Sequence, residues 1–427
     1  MALTRRAAVA ALIAVAVVVV VPLGGWMILW ADLALTVAIA VDLMLAGSPR
    51  RLRVTRGGDE TRRLDETATV TVTLVNEGRR AVRGFVRDAW PDAVGVAPEL
   101  QPLDLDPHHR ATLHSTLRPR YRAEFPADLV TVRSVGPLGL AARQASLEAP
   151  WRLRVLPAFP SRRLLPETFA RLLLLDGRTA ARIRGQGTEF DSLRGYVDGD
   201  DPRSIDWRAT ARAGSVVVRT WRPERNRRLV LVVDTGRTAA VRVGELTRLD
   251  VVLDATIALT AVARRAGDHV QVLTAGAETR TVIADPARVS PLHALADVHP
   301  ELIETDAEQL VARLLRMGQR RSLIVIFAAL EEAALGSGLL PLLPALTRRH
   351  QVVLASVQDP LVTLLAATRR DARTTYLAAA AERTLAAEQQ LARTLHSRGV
   401  EVVAEPPERF ASAVLDLYLA LKAAGRL

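Results

Sequence analysis

The chain has 427 residues, room for two or three domains, and no cysteine, which excludes disulfides and thiolate metal sites and fits a cytosolic domain. Hydrophobic residues make up 49% and aromatics only 4%, so the cores must be aliphatic. The net charge of +11 is carried by arginine, Lys422 being the only lysine, and this bias with abundant alanine reads as a GC-rich bacterial genome. A basic balance can mean nucleic acid or an anionic membrane surface, and the scattered arginines without aromatic interleaving argue against nucleic acid.

Residues 7–46 are apolar apart from Thr36, Asp32 and Asp42, and Pro22, Gly24 and Gly25 break the run in two. Each piece approaches the ~20 residues that cross a hydrocarbon core of about 30 Å. The alternative is a secretory signal peptide behind Arg5-Arg6, but a second apolar span follows at once and no small-residue cleavage site stands out. Residues 1–50 therefore read as two transmembrane helices. Arg5 and Arg6 precede the hairpin and Arg50, Arg51 and Arg53 follow it, so the positive-inside bias puts the N-terminus and the soluble domains in the cytoplasm of a multi-pass inner-membrane protein. Asp42 falls near the cytoplasmic interface and Asp32 nearer the other, which favours interfacial carboxylates over an ion path.

Residues 51–157 have period two. "TATVTVTLVNEG" alternates and ends on a turn signal, and "RATLHSTLRP" and "ADLVTVRSV" repeat the style, which predicts a small β-sandwich. His108-His109 sits in a Pro-flanked loop and reads as exposed polarity rather than a metal site.

Residues 158–222 begin with helical spacing over 163–183 and continue into "GQGTEFDSLRGYVDGDDPRSIDWRATAR", which is dense in carboxylates and arginines. From 223 to 427 strands alternate with helices. "RLVLVVDTG" and "SLIVIFAAL" are continuous apolar runs suited to strands buried on both faces, and "HVQVLT" with "TRTVIA" reads as an edge hairpin. The fold class is a doubly wound α/β C-terminal domain with a β-sandwich and a helical hairpin before it. Ligand sites in such sheets lie at the carboxyl ends of strands, where Asp234 and Asp359 fall.

The charged stretch resembles the signature of the bacterial family called domain of unknown function 58. The matching residues are Gly185, Gly187, Glu189, Phe190, Leu193, Arg194, Tyr196, Gly199, Asp200, Arg203, Ile205, Asp206, Trp207, Ala211 and Arg212. "SVGPLGLAAR" resembles the family's Pro-Phe-Gly-Leu element, with Leu138 in place of the phenylalanine. The resemblance implies a membrane hairpin, a β-rich segment, the signature, then a von Willebrand factor A-like domain. It implies a protein-interaction role beside a MoxR-type AAA+ ATPase and no enzymatic activity.

Von Willebrand A domains hold Mg²⁺ through Asp-x-Ser-x-Ser, a later Thr and an Asp after the fourth strand. Here the first element reads "DTGRTAA": Asp234 is present and Thr238 can replace one serine, but Gly236 has no hydroxyl. Ala328 and Ala329 stand where the last aspartate would be, with Glu331 or Glu332 further along as substitutes. The expectation is a degenerate site and no cofactor.

The signature segment has no histidine and no nucleophile beyond Ser192 and Ser204, so a hydrolytic triad is unsupported. It reads instead as a structural clasp that doubles as a partner surface. Asp201 or Ser204 would cap a helix, Arg203, Arg208 and Arg212 would pair with the acids, and Ile205 and Trp207 would pack onto the first strand of the α/β domain. The rivals are a membrane-bound hydrolase using the acidic segment 189–206, and a structural envelope protein.

Overall fold

The computed structural model describes residues 2–20, 26–182, 189–222, 227–285, 289–317 and 321–426. The architecture is mixed α/β with several sheets, and the chain divides into two compact units, Met1–Leu156 and Pro157–Leu427.

The first unit opens with two apolar helices, α1 (Arg5–Val20) and α2 (Trp26–Leu45). Leu29, Trp30 and Leu33 of α2 are exposed, so this helix has an apolar surface that the other described residues leave uncovered. Among the described residues one helical stretch, Trp26–Arg51, is long and apolar enough to cross a membrane. α1 has 16 residues, about 24 Å of rise, which is short of the hydrocarbon thickness.

Asp42 is fully buried in the last turns of α2 and accepts backbone N–H groups of the sandwich. Its Oδ1 takes Leu138 at 2.6 Å, and its Oδ2 takes Leu140 at 2.7 Å and Ala141 at 2.8 Å. A Cβ on Gly136 would overlap this carboxylate, so the turn 136–141 needs glycine for its close approach to α2. The resemblance to the Pro-Phe-Gly-Leu element thus falls on a turn that holds the apolar helix. Asp32 is exposed on α2.

The sandwich comprises β1 (Leu52–Gly58), β2 (Ala68–Asn76), β3 (Val82–Asp88), β4 (Leu100–Leu105), β5 (Arg110–Leu117), β6 (Glu124–Val135) and β7 (Ala141–Leu156). One sheet runs β7-β6-β3-β4, flanked by the short strands Ala2–Leu3 and Thr61–Arg63, both of which pair with β7; the other runs β1-β2-β5 with Val96–Ala97. Along β2 the alternation expected from the sequence is strict: Ala68, Val70, Val72 and Leu74 are buried, and Val72 and Leu74 pack in one cluster with Val82, Val86, Val130 and Val132 of the facing sheet. His108 and His109 lie in the loop before β5, with His109 exposed.

The interior of the sandwich also holds an ion pair that the periodicity gives no sign of. Arg56 Nη2 and Asp88 Oδ1 are 2.6 Å apart with both side chains essentially inaccessible. The guanidinium also donates to the Ala127, Ala149 and Leu129 carbonyls, and Trp90 Nε1 donates to Asp88 Oδ2 at 2.9 Å. Every charged atom is answered, as burial demands.

In the second unit α3 (Leu165–Arg182) leads to a two-stranded antiparallel hairpin of β8 (Glu189–Gly195) and β9 (Val217–Arg222), with α4 (Trp207–Ala213) inserted between. The sheet follows: β10 (Arg228–Asp234), β11 (His269–Ala275), β12 (Thr279–Ile283), β13 (Ser322–Phe327), β14 (Gln351–Val357) and β15 (Val400–Glu405). Its spatial order is β12-β11-β10-β13-β14-β15, parallel throughout except for the edge strand β12. In order along the chain that is 3-2-1-4-5-6, and the order reverses between β10 and β13.

The longer helices after the hairpin are α5 (Arg248–Arg265), α6 (Ala307–Arg316), α7 (Pro360–Ala367), α8 (Ala372–Ser397) and α9 (Pro407–Ala423). All but α7, which buries no residue, pack on one face or the other. Leu229, Leu231 and Val233 of β10 cluster with Leu253 and Ile257 of α5 and Phe410 and Val414 of α9. Val230 and Val232 cluster with Leu310 and Leu314 of α6 and Leu391 and Leu395 of α8. The continuous apolar run of β10 is therefore a strand with a helical layer on each side. α5 is apolar nearly all round because it is buried nearly all round, and a Thr247/Asp250 capping box starts it.

Lys422, the only lysine, lies 3.2 Å from the buried Asp268, to which Tyr418 also donates its hydroxyl at 2.5 Å. Burial outweighs these partners and raises the Asp268 carboxyl above the usual range.

Candidate functional site

Two features of the second unit gather the polar chemistry: the signature hairpin, and the carboxyl ends of β10 and β13.

In the hairpin, β8 and β9 pair from Glu189↔Arg222 to Gly195↔Val217. The strand is an addition to the expectation, since the acidic stretch reads as turn and helix start alone. The turn beyond β8 closes with Asp200 N–H donating to the Val197 carbonyl at 3.0 Å, and Gly199 supplies the positive φ of 102°. Asp200 then locks it. Its two oxygens take Arg194 Nη1 at 2.8 Å and Nη2 at 2.6 Å, a fork-to-fork pair, and Val197 N–H adds a third bond at 3.0 Å. The Arg194 bonds, then the amide, hold the Asp200 carboxyl below its usual range, and the same pairing raises Arg194.

Asp201 caps the short 3₁₀ turn Pro202–Ser204 by accepting Arg203 N–H at 2.9 Å, while Ser204 donates its hydroxyl to the Asp201 carbonyl. The cap of α4 is Asp206: its Oδ1 accepts the amides of Arg208 and Ala209, both at 3.0 Å, and its Oδ2 accepts Arg219 Nε at 2.8 Å. The amide of Ala209, then Arg219, lowers the Asp206 carboxyl. Gly214, at φ 69°, ends α4 in the left-handed region, and Ile205 bridges Val218 of β9.

The acids fasten the hairpin's own turn and helix start, and with other partners than the sequence suggests. Arg194 and Arg219 pair with the acids. Arg203, Arg208 and Arg212 have no carboxylate partner among the described residues and stand in solvent. The reason is position: β9 brings Arg219 to the Asp206 cap, whereas Arg208 and Arg212 are exposed on α4. Trp207 is corrected likewise. Rather than packing onto the first strand of the α/β sheet it is 70% exposed, and Leu193, Tyr196 and Val197 are exposed with it. Gly185 and Gly187 lie outside the described residues, and Glu189 and Phe190 are described as strand only.

At the reversal point of the sheet, Asp234 ends β10. Its Oδ1 accepts Gly236 N–H at 2.8 Å and the hydroxyl of Thr305, and its Oδ2 accepts the Thr238 hydroxyl at 3.2 Å. Thr305 is the residue sequence reasoning missed: it lies far along the chain, in an irregular loop before α6, where spacing carries no signal. A Cβ on Gly236 would strike the Thr305 hydroxyl, so this threonine occupies the space that a serine side chain at 236 would need.

These residues do not fit a Mg²⁺ cage. A hard cation needs several oxygens free to point at it. Here one carboxylate meets two hydroxyls, but Gly236 brings no side-chain oxygen and Ala328 and Ala329, not a carboxylate, follow β13. Glu331 is instead paired with Arg248 at 3.1 Å, and Glu388 of α8 joins this group, its carboxyl raised mainly by burial and further by Glu331. No group of three or more His, Cys, Asp or Glu that could hold a metal ion occurs among the described residues. Asp359 caps α7 by accepting Leu361 N–H at 2.9 Å.

Three uncharacterized proteins, from Mycobacterium bovis and two strains of Mycobacterium tuberculosis, are 28% identical to this chain over 197 residues, 44% of this chain and 60% of theirs. The match thus spans less than two thirds of those relatives. Among solved structures, the CARDB domain of a Pyrococcus furiosus protein aligns over 24% of the chain at 16% identity with a TM-score of 0.18. A PapD-like domain of human CEP192 aligns over 25% at 16% identity with a TM-score of 0.18. Such scores carry no argument about fold. The family comparison is more direct: residues 192–374, from inside the signature hairpin to the start of α8, match the family described as "Protein of unknown function DUF58".

Proposed function

We propose that the protein is a non-enzymatic, membrane-anchored adaptor or scaffold that works with a MoxR-type AAA+ ATPase in a chaperone-like assembly. The observation that carries this reading is the outward face of the signature hairpin. Trp207, Val197 and Leu193 are exposed in the same segment as the unpaired and exposed Arg203, Arg208 and Arg212, while Asp200 and Asp206 are engaged in holding the backbone. Exposed aromatic and arginine side chains on a rigid support are what protein interfaces are made from.

The second unit is read as a von Willebrand factor A-like domain with a decayed metal position, a reading supported by the 3-2-1-4-5-6 strand order and by Asp234 at the reversal point. The anchor is read as a hairpin of α1 and α2 in a bacterial inner membrane, both ends cytoplasmic. The flanking arginines support it. So does Thr4, just before α1, which donates to the Gly139 and Leu140 carbonyls in the turn that also holds Asp42 near the end of α2.

The test is affinity purification of the full-length protein from its native membranes, with and without ATP, followed by mass spectrometry. An AAA+ ATPase retained in a nucleotide-dependent way, and lost with Trp207→Ala, supports the adaptor. Envelope proteins alone, or an ATPase indifferent to Trp207, overturns it.

A further inference from the structure

The end of the first unit where α2 meets the sandwich is ringed by arginine. Glu77 N–H donates to the Arg51 carbonyl at 3.0 Å, which brings the turn carrying Arg79 and Arg80 against the segment after α2. Gly47, two residues past α2, is so close to this turn that a Cβ would strike the Ala81 carbonyl. From the other side, Thr4 is hydrogen-bonded to the 139–140 backbone, and the Arg6 guanidinium lies where a side chain on Gly139 would be. Arg5, Arg6, Arg50, Arg51, Arg79 and Arg80 are all exposed, and none has a carboxylate partner among the described residues. Arg53, by contrast, is answered by Glu77 at 2.6 Å.

Six like charges in one ring repel one another unless an anionic surface faces them. The ring lies at the end of a helix on which Leu33, Val37, Val41 and Met44 are exposed. At the same level Leu3 and Leu138 are exposed, 69% and 53%. Basic side chains around apolar ones beside an uncovered apolar helix are what an anionic lipid surface complements.

We infer that this end of the first unit is a collar for the headgroups of anionic phospholipids, with Leu3 and Leu138 seated at the acyl boundary. The collar rests on the reading of the apolar helices as a membrane anchor and adds to it a lipid class and a rigid seat for the sandwich. The turn 136–141 is then the hinge-free joint: Asp42 fixes it to α2, and Leu138 at its tip enters the bilayer surface.

The experiment reconstitutes the purified full-length chain into phosphatidylcholine bilayers containing one-fifth phosphatidylglycerol, with each lipid spin-labelled in turn. A surface arginine favours an anionic membrane by about fivefold, so restricted phosphatidylglycerol exceeds restricted phosphatidylcholine several-fold. The Arg50→Gln, Arg51→Gln, Arg79→Gln, Arg80→Gln variant, with unchanged melting, brings the ratio near one. Because the chain has no cysteine, Leu138→Cys carries a single nitroxide, whose depth is read independently and falls at the headgroup boundary. Incorporation with no preference for phosphatidylglycerol, or a fully aqueous label at position 138, overturns the collar while leaving the anchor intact. Failure to enter bilayers of either lipid overturns the anchor and the collar together.

Discussion

Asp206 and Arg219 meet at 2.8 Å across the signature hairpin, with the other Asp206 oxygen capping α4. One carboxylate therefore joins a strand, a helix start and the turn between them. A residue so employed is a fastener, which is why the density of acids in this segment does not amount to a catalytic pair.

The pairing sets the titration. The Asp206 carboxyl is held down first by the Ala209 amide and then by Arg219. Arg219→Gln should therefore raise it toward the ordinary aspartate value of about 3.9 without reaching it, since both amides remain. NMR titration of the side-chain carboxyl checks this. The sign for stability follows: a lowered carboxyl contributes above the unfolded value, and that contribution is lost as pH falls through the lower folded value. The hairpin should hold at neutral pH and loosen only in acid below the usual aspartate range. Loosening already near pH 5 would contradict the assignment.

At Asp234 the expected outcome is structural. Replacing it with alanine strands the Gly236 amide and frees the hydroxyls of Thr238 and Thr305, at a cost of about 1–3 kcal/mol. Thermal melting of Asp234→Ala reads that loss. Calorimetric titration of Mg²⁺ or Mn²⁺ into the wild-type chain should show no saturable binding at micromolar concentrations. Micromolar binding abolished by the same substitution would restore the metal site.

Much of the fold was legible because its periods are clean. The alternation of β2 as far as Leu74 and the unbroken apolar runs of β10 and β13 match their burial, while Asn76 and Ser322 are buried polar residues that the pattern does not predict. What escaped was set by long-range geometry. The Arg56–Asp88 pair joins residues 32 apart, and Thr305 reaches Asp234 from 71 residues away. Trp207 misled for a different reason. An aromatic beside Ile205 reads as core, yet the Asp206 cap fixes where α4 begins and turns this side chain outward.

The Arg56–Asp88 pair gives a large and separable effect. Asp88→Ala leaves a guanidinium buried with no counter-charge, and also orphans the Trp90 indole N–H. Breaking such a pair from one side costs about 3–5 kcal/mol, whereas replacing both partners with apolar residues of similar volume costs far less. Denaturant melts of Asp88→Ala and of Arg56→Met/Asp88→Leu should therefore rank the double variant as the more stable. The opposite ranking would mean that the pair specifies the packing of the two sheets and is not merely tolerated by it.

Glu388 offers the clearest pH signature in the second unit. Burial raises its carboxyl, Arg248 opposes that rise, and Glu331 adds to it, so ionisation is disfavoured in the folded chain. A carboxyl raised on folding binds its proton more tightly in the native state, so wild-type stability falls as pH rises through the folded value. Glu388→Gln keeps the shape and the capacity to hydrogen-bond Gln358 while removing the charge. The variant should melt higher than wild type at pH 7, and the difference should shrink toward zero as pH falls below the ordinary glutamate range, about 4.3. Paired melts across this range decide it. A variant less stable than wild type at pH 7 would show that the attraction of Glu388 to Arg248 outweighs its burial, and would make the Arg248 group a stabilising ion cluster rather than a strained one.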